Sequence, residues 1–275
     1  MLLLGMSTLV GCRRGTDSEV VVYCALDQEF SEPILKEFEQ ETGIKVLAKY
    51  DIESTKTVGL VNAILQERSR PRCDLFWNNE IMHTIRLENE GLLLPFEPAA
   101  KRAGSTVSQF SSPENRYYGL AARARVLIVN TDLVSEERLP DSIQDLVAPQ
   151  WKEKVAIAKP LFGTTATHAA VLWHLWGAKE ARDYFTKLRA NARILSGNKQ
   201  VAQEVGRGTL AFGLTDTDDA IIELESGRPV KIVFPDQGEG RMGTLFIPNT
   251  IALMKDSPHP LAAQKLADKI LSSTT

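Results

Sequence analysis

The sequence predicts an α/β protein of two lobes, each a mixed and mostly parallel sheet flanked by helices, with two strands crossing between them. Three observations carry that expectation. Residues 20–46 read as an apolar strand, a polar turn at Asp27-Gln28-Glu29, an amphipathic helix and a second apolar strand, which is a βαβ opening. The same rhythm returns after Val155 as a second series of short apolar runs and helical segments. Two longer extended stretches, near residues 122–129 and 245–254, are placed to carry the chain across and back. The first series is then interrupted and the second inserted. A hinged clam follows, with one cleft lined by strand-end loops of both lobes.

Each element has a local reason. Val20-Val21-Val22-Tyr23 is a β-prone run. After it, Ile34, Leu35 and Phe38 share one helix face opposite Lys36, Glu37, Glu39, Gln40 and Glu41. Gly43 stands where a glycine C-cap ends a helix. A strand is expected over 44–50, and a helix over 57–68 on the apolar face Val58, Val61, Ile64, Leu65. Residues 73–77 form a strand, 81–90 a helix stopped at Gly91, and 92–96 a short apolar piece ended by prolines. The strand over 122–129 leads into a loop-rich stretch, 140–151, with one short helix. Then come strand 155–158, helix 165–176 and, after Gly177, helix 178–190. Strand 193–195, helix 198–207, strand 210–213, helix 217–225 and strand 230–234 continue the series. Extended pieces over 245–248 and 250–254 return to the first lobe, and 260–272 is a terminal helix. The lobes divide as 20–122 with 248–275, and 123–247, after a segment 1–19 of different character.

The chain has 275 residues, 43% hydrophobic and 24% charged, enough for two cores. A net charge of -3, with no Lys/Arg run interleaved with aromatics, excludes a nucleic-acid surface. The apolar run 1–11 is too short for a permanent membrane helix, which needs about 20 residues. Leu9-Val10-Gly11-Cys12 resembles the bacterial lipobox, with Cys12 as the lipidated residue and Arg13 to Ser18 as a solvated tether. No basic stretch precedes it, so a start upstream of Met1 is expected. Membrane attachment is through that lipid only. If the strands bearing Cys24 and Cys73 are parallel neighbours, the sulfurs lie at opposite ends, beyond the Cα separation of about 7 Å that a disulfide tolerates. No Cys/His spacing forms a zinc site.

Several side chains suit a cleft. Gly163-Thr164-Thr165 precede a helix, so their amides and hydroxyls either meet an anion at the positive end of the helix dipole or simply cap it. Arg123 and Arg125 project from one face of a strand and suit a carboxylate or phosphate, of a ligand or of the protein itself. Asp216, Asp218 and Asp219 crowd a helix start. There Asp216 and Asp218 either complement the dipole or serve as oxygen ligands for a metal or acceptors for sugar hydroxyls. Asp27 and Gln28, beside Glu29, face them from the other lobe. Trp77 and Asn78, with Asn79, follow a strand and either stack on and orient an organic ligand or belong to the core. Ser54 and Thr55 open a helix and cap it or hold an anion. His168 is expected to be solvated or capping rather than metal-bound.

The segments VVVYCALDQEFSEPILKEFEQETGIKV, CDLFWNNE, YYGLAARARVLIVNTDLV, GTTATHAAVLWHLWG and TLAFGLTDTDDA resemble the substrate-binding proteins of bacterial ABC importers. FPDQGEGRMGTLFIPNTIALMKDSPHP completes the set. The resemblance is to the ferric-iron-type branch, of type 2 periplasmic-binding-protein fold. It implies a monomeric, extracytoplasmic, lipid-anchored binding protein that closes on its ligand without catalysis, needs no cofactor, and delivers Fe(III), alone or with an anion, to permease and ATPase subunits. It also favours Arg123 as the cleft arginine. Family members run on past the position of Thr275. In many of them adjacent tyrosines hold the metal at the loop matching residues 214–219. Here that loop reads Leu-Thr-Asp-Thr-Asp-Asp, so a small organic anion or phosphorylated sugar stands beside iron as the expected ligand. An enzyme using Cys24 or Asp27 is disfavoured, because no nucleophile–base pair is identifiable.

Overall fold

The computed structural model describes residues 18–51, 57–102 and 110–272. The expectations for Cys12, Ser54 and Thr55 lie outside the described residues. In chain order the elements are β1 (Glu19–Cys24), α1 (Gln28–Thr42), β2 (Lys45–Tyr50), α2 (Val58–Gln66), β3 (Leu75–Asn78), α3 (Met82–Asn89), β4 (Leu93–Leu94) and α4 (Ala99–Arg102). Then follow β5 (Tyr117–Asn130), β6 (Val155–Ala158), α5 (Gly163–Asn191), β7 (Arg193–Leu195), α6 (Asn198–Gly206), β8 (Phe212–Asp216) and α7 (Thr217–Glu225). β9 (Val230–Val233), β10 (Phe246–Met254) and α8 (Pro260–Ser272) complete the fold.

Two sheets share β5. In the first, β1 runs parallel to β2 and β3, and β10 pairs antiparallel with β3, β4 and β5. In the second, β5 pairs antiparallel with β8 and β9, while β6 is parallel to β7 and β8. The partner of β5 changes between Ala124, opposite Phe246, and Arg125, opposite Asp216. The inner strands of both sheets are buried on both faces, as parallel strands with crossover helices require, while the edge strands β2 and β7 are partly exposed. On β1, Val20, Val22 and Cys24 enter one core and Tyr23 the other. On β5, Leu127 and Val129 enter one core of the second sheet, and Val126 and Ile128 the other.

Local chemistry explains the boundaries. Gly43, at φ 70°, ends α1 with its amide donating to Glu39 O (2.9 Å). Gly177, at φ 80° and ψ 166°, breaks α5 into the two helices expected from sequence. Gly213 is required by packing: a Cβ there would overlap Val201 of α6 and lie 2.9 Å from the carbonyl oxygen of Ala156. The crossing strand begins at Tyr117, five residues earlier than the sequence pattern placed it, because Tyr117 and Tyr118 pack in the first lobe's cores. β8 also runs further than expected, through Asp216, so this aspartate is a strand residue directly opposite Arg125. The β1–β3 register sets Cys24 beside Trp77, while Cys73 lies two residues before Leu75 at the other end, and both thiols are free.

Candidate functional site

Parallel strands deliver their loops to one edge, and helices start there. In the second lobe β6, β7 and β8 lead into α5, α6 and α7, and the three helix N-termini surround a small cavity of about 30 Å³. Gly163, Thr164 and Thr165 line it from α5, Gly197 and Asn198 from α6, and Asp219 from α7. Arg123 and Lys159 add positive charge, and Asn79 closes the cavity from the β3 end of the first lobe. The first amides of each helix lack intrahelical acceptors and carry the positive end of the dipole, so this wall suits an anion.

Beneath the wall lies a buried polar network. Arg125 Nη1 donates to Asp216 Oδ1 (2.6 Å) and to Asn198 Oδ1 (3.1 Å), and Nη2 donates to Thr165 Oγ1 (3.2 Å). Asp216 Oδ2 accepts from Thr164 Oγ1 (2.6 Å) and Asn198 Nδ2 (3.0 Å), with Arg123 Nη1 at 3.6 Å. Burial would raise the Asp216 pKa, but Arg125, Arg123 and the Thr164 hydroxyl outweigh it and hold the carboxyl below its ordinary value. Both Asp216 oxygens are therefore engaged within the protein, and two guanidiniums repel a metal from it. Its fitness as a metal ligand, expected from sequence, is removed by its partners.

Arg123 differs from Arg125. Arg125 is fully buried and does not line the cavity, whereas Arg123 reaches it and pairs with Asp218 Oδ2 at 3.2 Å. Burial opposes the charge of Arg123, yet Asp218, Asp216 and Asp27 together raise its pKa. Asp218, unlike Asp216, is shifted upward. Burial raises its pKa, Arg123 relieves part of that, and Asp216 and Asp27 push it further up. Asp216, Asp218 and Asp219 have oxygens within 4.8 Å of one another.

Of the other candidates, Gly163, at φ 51°, Thr164 and Thr165 are cavity residues. Asp27 is half-buried and acts on Arg123 and Asp218 through charge. Gln28 is exposed and donates to Glu32 Oε2 (3.1 Å). Trp77 and Asn78 are corrections. Trp77 is 2% exposed within the first lobe's core, so its ring has no face for a ligand. Asn78 is buried, with Nδ2 donating to Thr84 Oγ1 (2.9 Å). Both faces of β3 are covered, so these neighbours are buried on opposite sides of the sheet, and Asn79 takes the cleft position, its Oδ1 accepting from Thr57 Oγ1 (2.7 Å). His168 is another: it is buried behind Arg125, its pKa lowered to about 3, first by burial and then by Arg125. Lys159 and Asn198 escaped the sequence reading. Ser196-Gly197-Asn198 before α6 repeats the strand–glycine–helix pattern of residues 162–164, and that signal was available.

Glu80 and Glu29 make contacts that bridge the lobes. Thr167 Oγ1 of α5 donates to Glu80 Oε2 (3.2 Å), and the same carboxylate accepts from the Met82 (2.7 Å) and His83 (3.1 Å) amides at the start of α3. At the surface Lys199 of α6 pairs with Glu29 of α1 at 3.2 Å. No helix among the described residues is long and apolar enough to cross a membrane.

A sequence profile of bacterial extracellular solute-binding proteins matches residues 20–275, and the chain belongs to that family. It is 27% identical over 198 residues to the Fe(3+)-binding periplasmic protein of Serratia marcescens, a match that covers 72% of this chain and 56% of that one. The chain thus spans little more than half the length of that relative. Iron-bound HitA from Pseudomonas aeruginosa superposes with a TM-score of 0.81 at 26% identity, covering 91% of this chain and 79% of HitA. AfuA from Actinobacillus pleuropneumoniae, solved with fructose-6-phosphate bound, shares the two-lobed fold at a TM-score of 0.77 and 21% identity, over 91% of this chain and 78% of its own.

Proposed function

We propose that this member of the extracellular solute-binding family is the binding subunit of a bacterial ABC importer and that its cargo is ferric ion accompanied by an anion. The observation that carries the reading is the convergence of Arg123 and three helix N-termini on one cavity that Asn79 closes from the opposite lobe. Residues 20–122 with 248–275 act as one lobe and 123–247 as the other, hinged where β5 changes partner. The anion sits on the residues 163–165 turn and on Asn198, and iron is held between that anion and Asp218, with Asp27 opposite. Cys12 tethers a monomer to the membrane through its lipid, and the closed form delivers the cargo to permease and ATPase subunits. The likeness to the Serratia and Pseudomonas iron binders supports the iron assignment.

A second reading is an organic anion or sugar phosphate carried without iron. It is favoured by the tyrosine-free turn at residues 214–219 and by the engagement of Asp216 with two arginines. Micromolar affinity needs about 8 kcal/mol, which a few charge-assisted hydrogen bonds in a closed cleft supply. Thermal unfolding with ferric citrate, iron-free citrate, phosphate and fructose 6-phosphate, beside metal analysis of the purified protein, separates the two. Ferric citrate at a hundred times its Kd adds about 2.7 kcal/mol of stability and raises Tm. A chain unmoved by every ferric species but stabilised by iron-free anions belongs to the second reading.

A further inference from the structure

Arg123 stands between two cavities. On its far side, toward the hinge, lies a second, open space of about 290 Å³, walled by Leu26 and Phe30 of the first lobe and Ile221 of α7. Phe30 and Ile221 are 40% and 41% exposed. Asp218 and Asn249 line the same space. Asn249 is 94% buried, being 6% exposed, and its Oδ1 has no hydrogen-bond donor among the described residues. Asp218 Oδ1 is buried and lacks a donor as well, although Oδ2 of that carboxylate pairs with Arg123. Buried acceptors are nearly always satisfied, so two orphaned oxygens on residues that line one cavity point to a missing partner, a hydrogen donor or a cation. A fully ionised anion has no hydrogen to give, and a purely apolar group has none either.

We propose that this second cavity is a subsite for an organic group bearing hydroxyl or ammonium hydrogens. The ligand is then an organic acid anion, whose acidic end meets Arg123 and the helix N-termini and whose body lies between Phe30 and Ile221. The inference rests on the cleft reading above and narrows it: neither bare ferric ion nor inorganic phosphate fills the second cavity.

Calorimetric titration of the full chain with matched pairs tests the subsite: glycerol 1-phosphate or aminoethyl phosphate against propyl phosphate, and citrate against tricarballylate, which lacks the hydroxyl. The donor-bearing member of at least one pair should bind about tenfold tighter, the scale of one hydrogen bond to a charged acceptor. The glycerol and aminoethyl arms distinguish hydroxyl from ammonium. In Asn249→Leu that advantage should fall below about twofold. Ile221→Arg, at an exposed helix position, should remove it too, and serves if Asn249→Leu fails to fold. Pairs that differ by less than twofold in the wild-type protein, with both members bound, overturn the subsite and leave the cavity to water while the cleft reading stands. Binding of none of these ligands or of inorganic phosphate overturns both.

Discussion

The two walls of the cleft are built differently. On the second lobe, the polar groups are linked to one another before any ligand arrives: Arg125, Asp216, Thr164, Thr165 and Asn198 form one buried cluster beneath the helix N-termini. On the first lobe, Asn78, Asn79 and Glu80 are tied to Thr84, Thr57 and the α3 amides, all of their own lobe. Glu80 and Glu29 reach across by hydrogen bond and ion pair, and Asp27 acts across through charge. The contrast shows where organisation resides. The second lobe holds a rigid receptor for charge, and the first supplies a cover whose few cross-lobe contacts are easily made and broken.

The largest effect that sharpens this contrast comes from Asp216→Ala. Removing one partner of a fully buried ion pair leaves the Arg125 guanidinium without its carboxylate, while Arg123 keeps Asp218, and the loss of stability should be about 3–5 kcal/mol in urea unfolding. A loss as small as that of a surface variant would show that the second wall is not preorganised by this pair. Arg123→Ala follows, since Arg123 reaches the cavity while Arg125 carries the buried pair. Anion affinity should fall about ten- to hundredfold by calorimetry, with less damage to stability than in Asp216→Ala.

His168 supplies a pH signature of the same wall. Its folded pKa, about 3, lies below its ordinary value of 6.5, so its neutral form favours folding above pH 6.5. That contribution is lost as pH falls toward 3, by about 2 kcal/mol at pH 5. His168→Leu should flatten this limb of the stability curve, read from urea midpoints against pH. The smallest effect belongs to the cover. Lys199→Ala breaks an exposed pair worth up to about 1 kcal/mol, so affinity should change less than about fivefold and less again at high salt. A larger loss would mean that the cross-lobe contacts carry more than closure.

Much of this was legible in the chain itself. The helix boundaries at Gly43, Gly177 and Pro260 follow from backbone preferences that act over a few residues. The GTT turn announced an anion-suited helix start for the same reason, and Arg123 with Arg125 announced a shared strand face. Trp77 and Asn78 were misjudged because a residue at a strand's end faces either cleft or core according to register, and register is set by β1 and β10, distant in sequence. For Asp216 the alternatives stayed open in the sequence, because only the extension of β8 to the rung opposite Arg125 gives this carboxylate its ion pair, beside Asp218 and Asp219.

The sequence by itself determined the βαβ rhythm, the two crossing strands and the anion-suited turns, because each rests on short-range periodicity and the φ/ψ preferences of single residues. Only the tertiary structure decided which of two neighbouring arginines meets the cavity, which carboxylate is already neutralised, and that Asp218 and Asn249 share a cavity without donors. Those outcomes depend on the burial and pairing of groups dozens of residues apart, and no local pattern encodes a charge's distant partner.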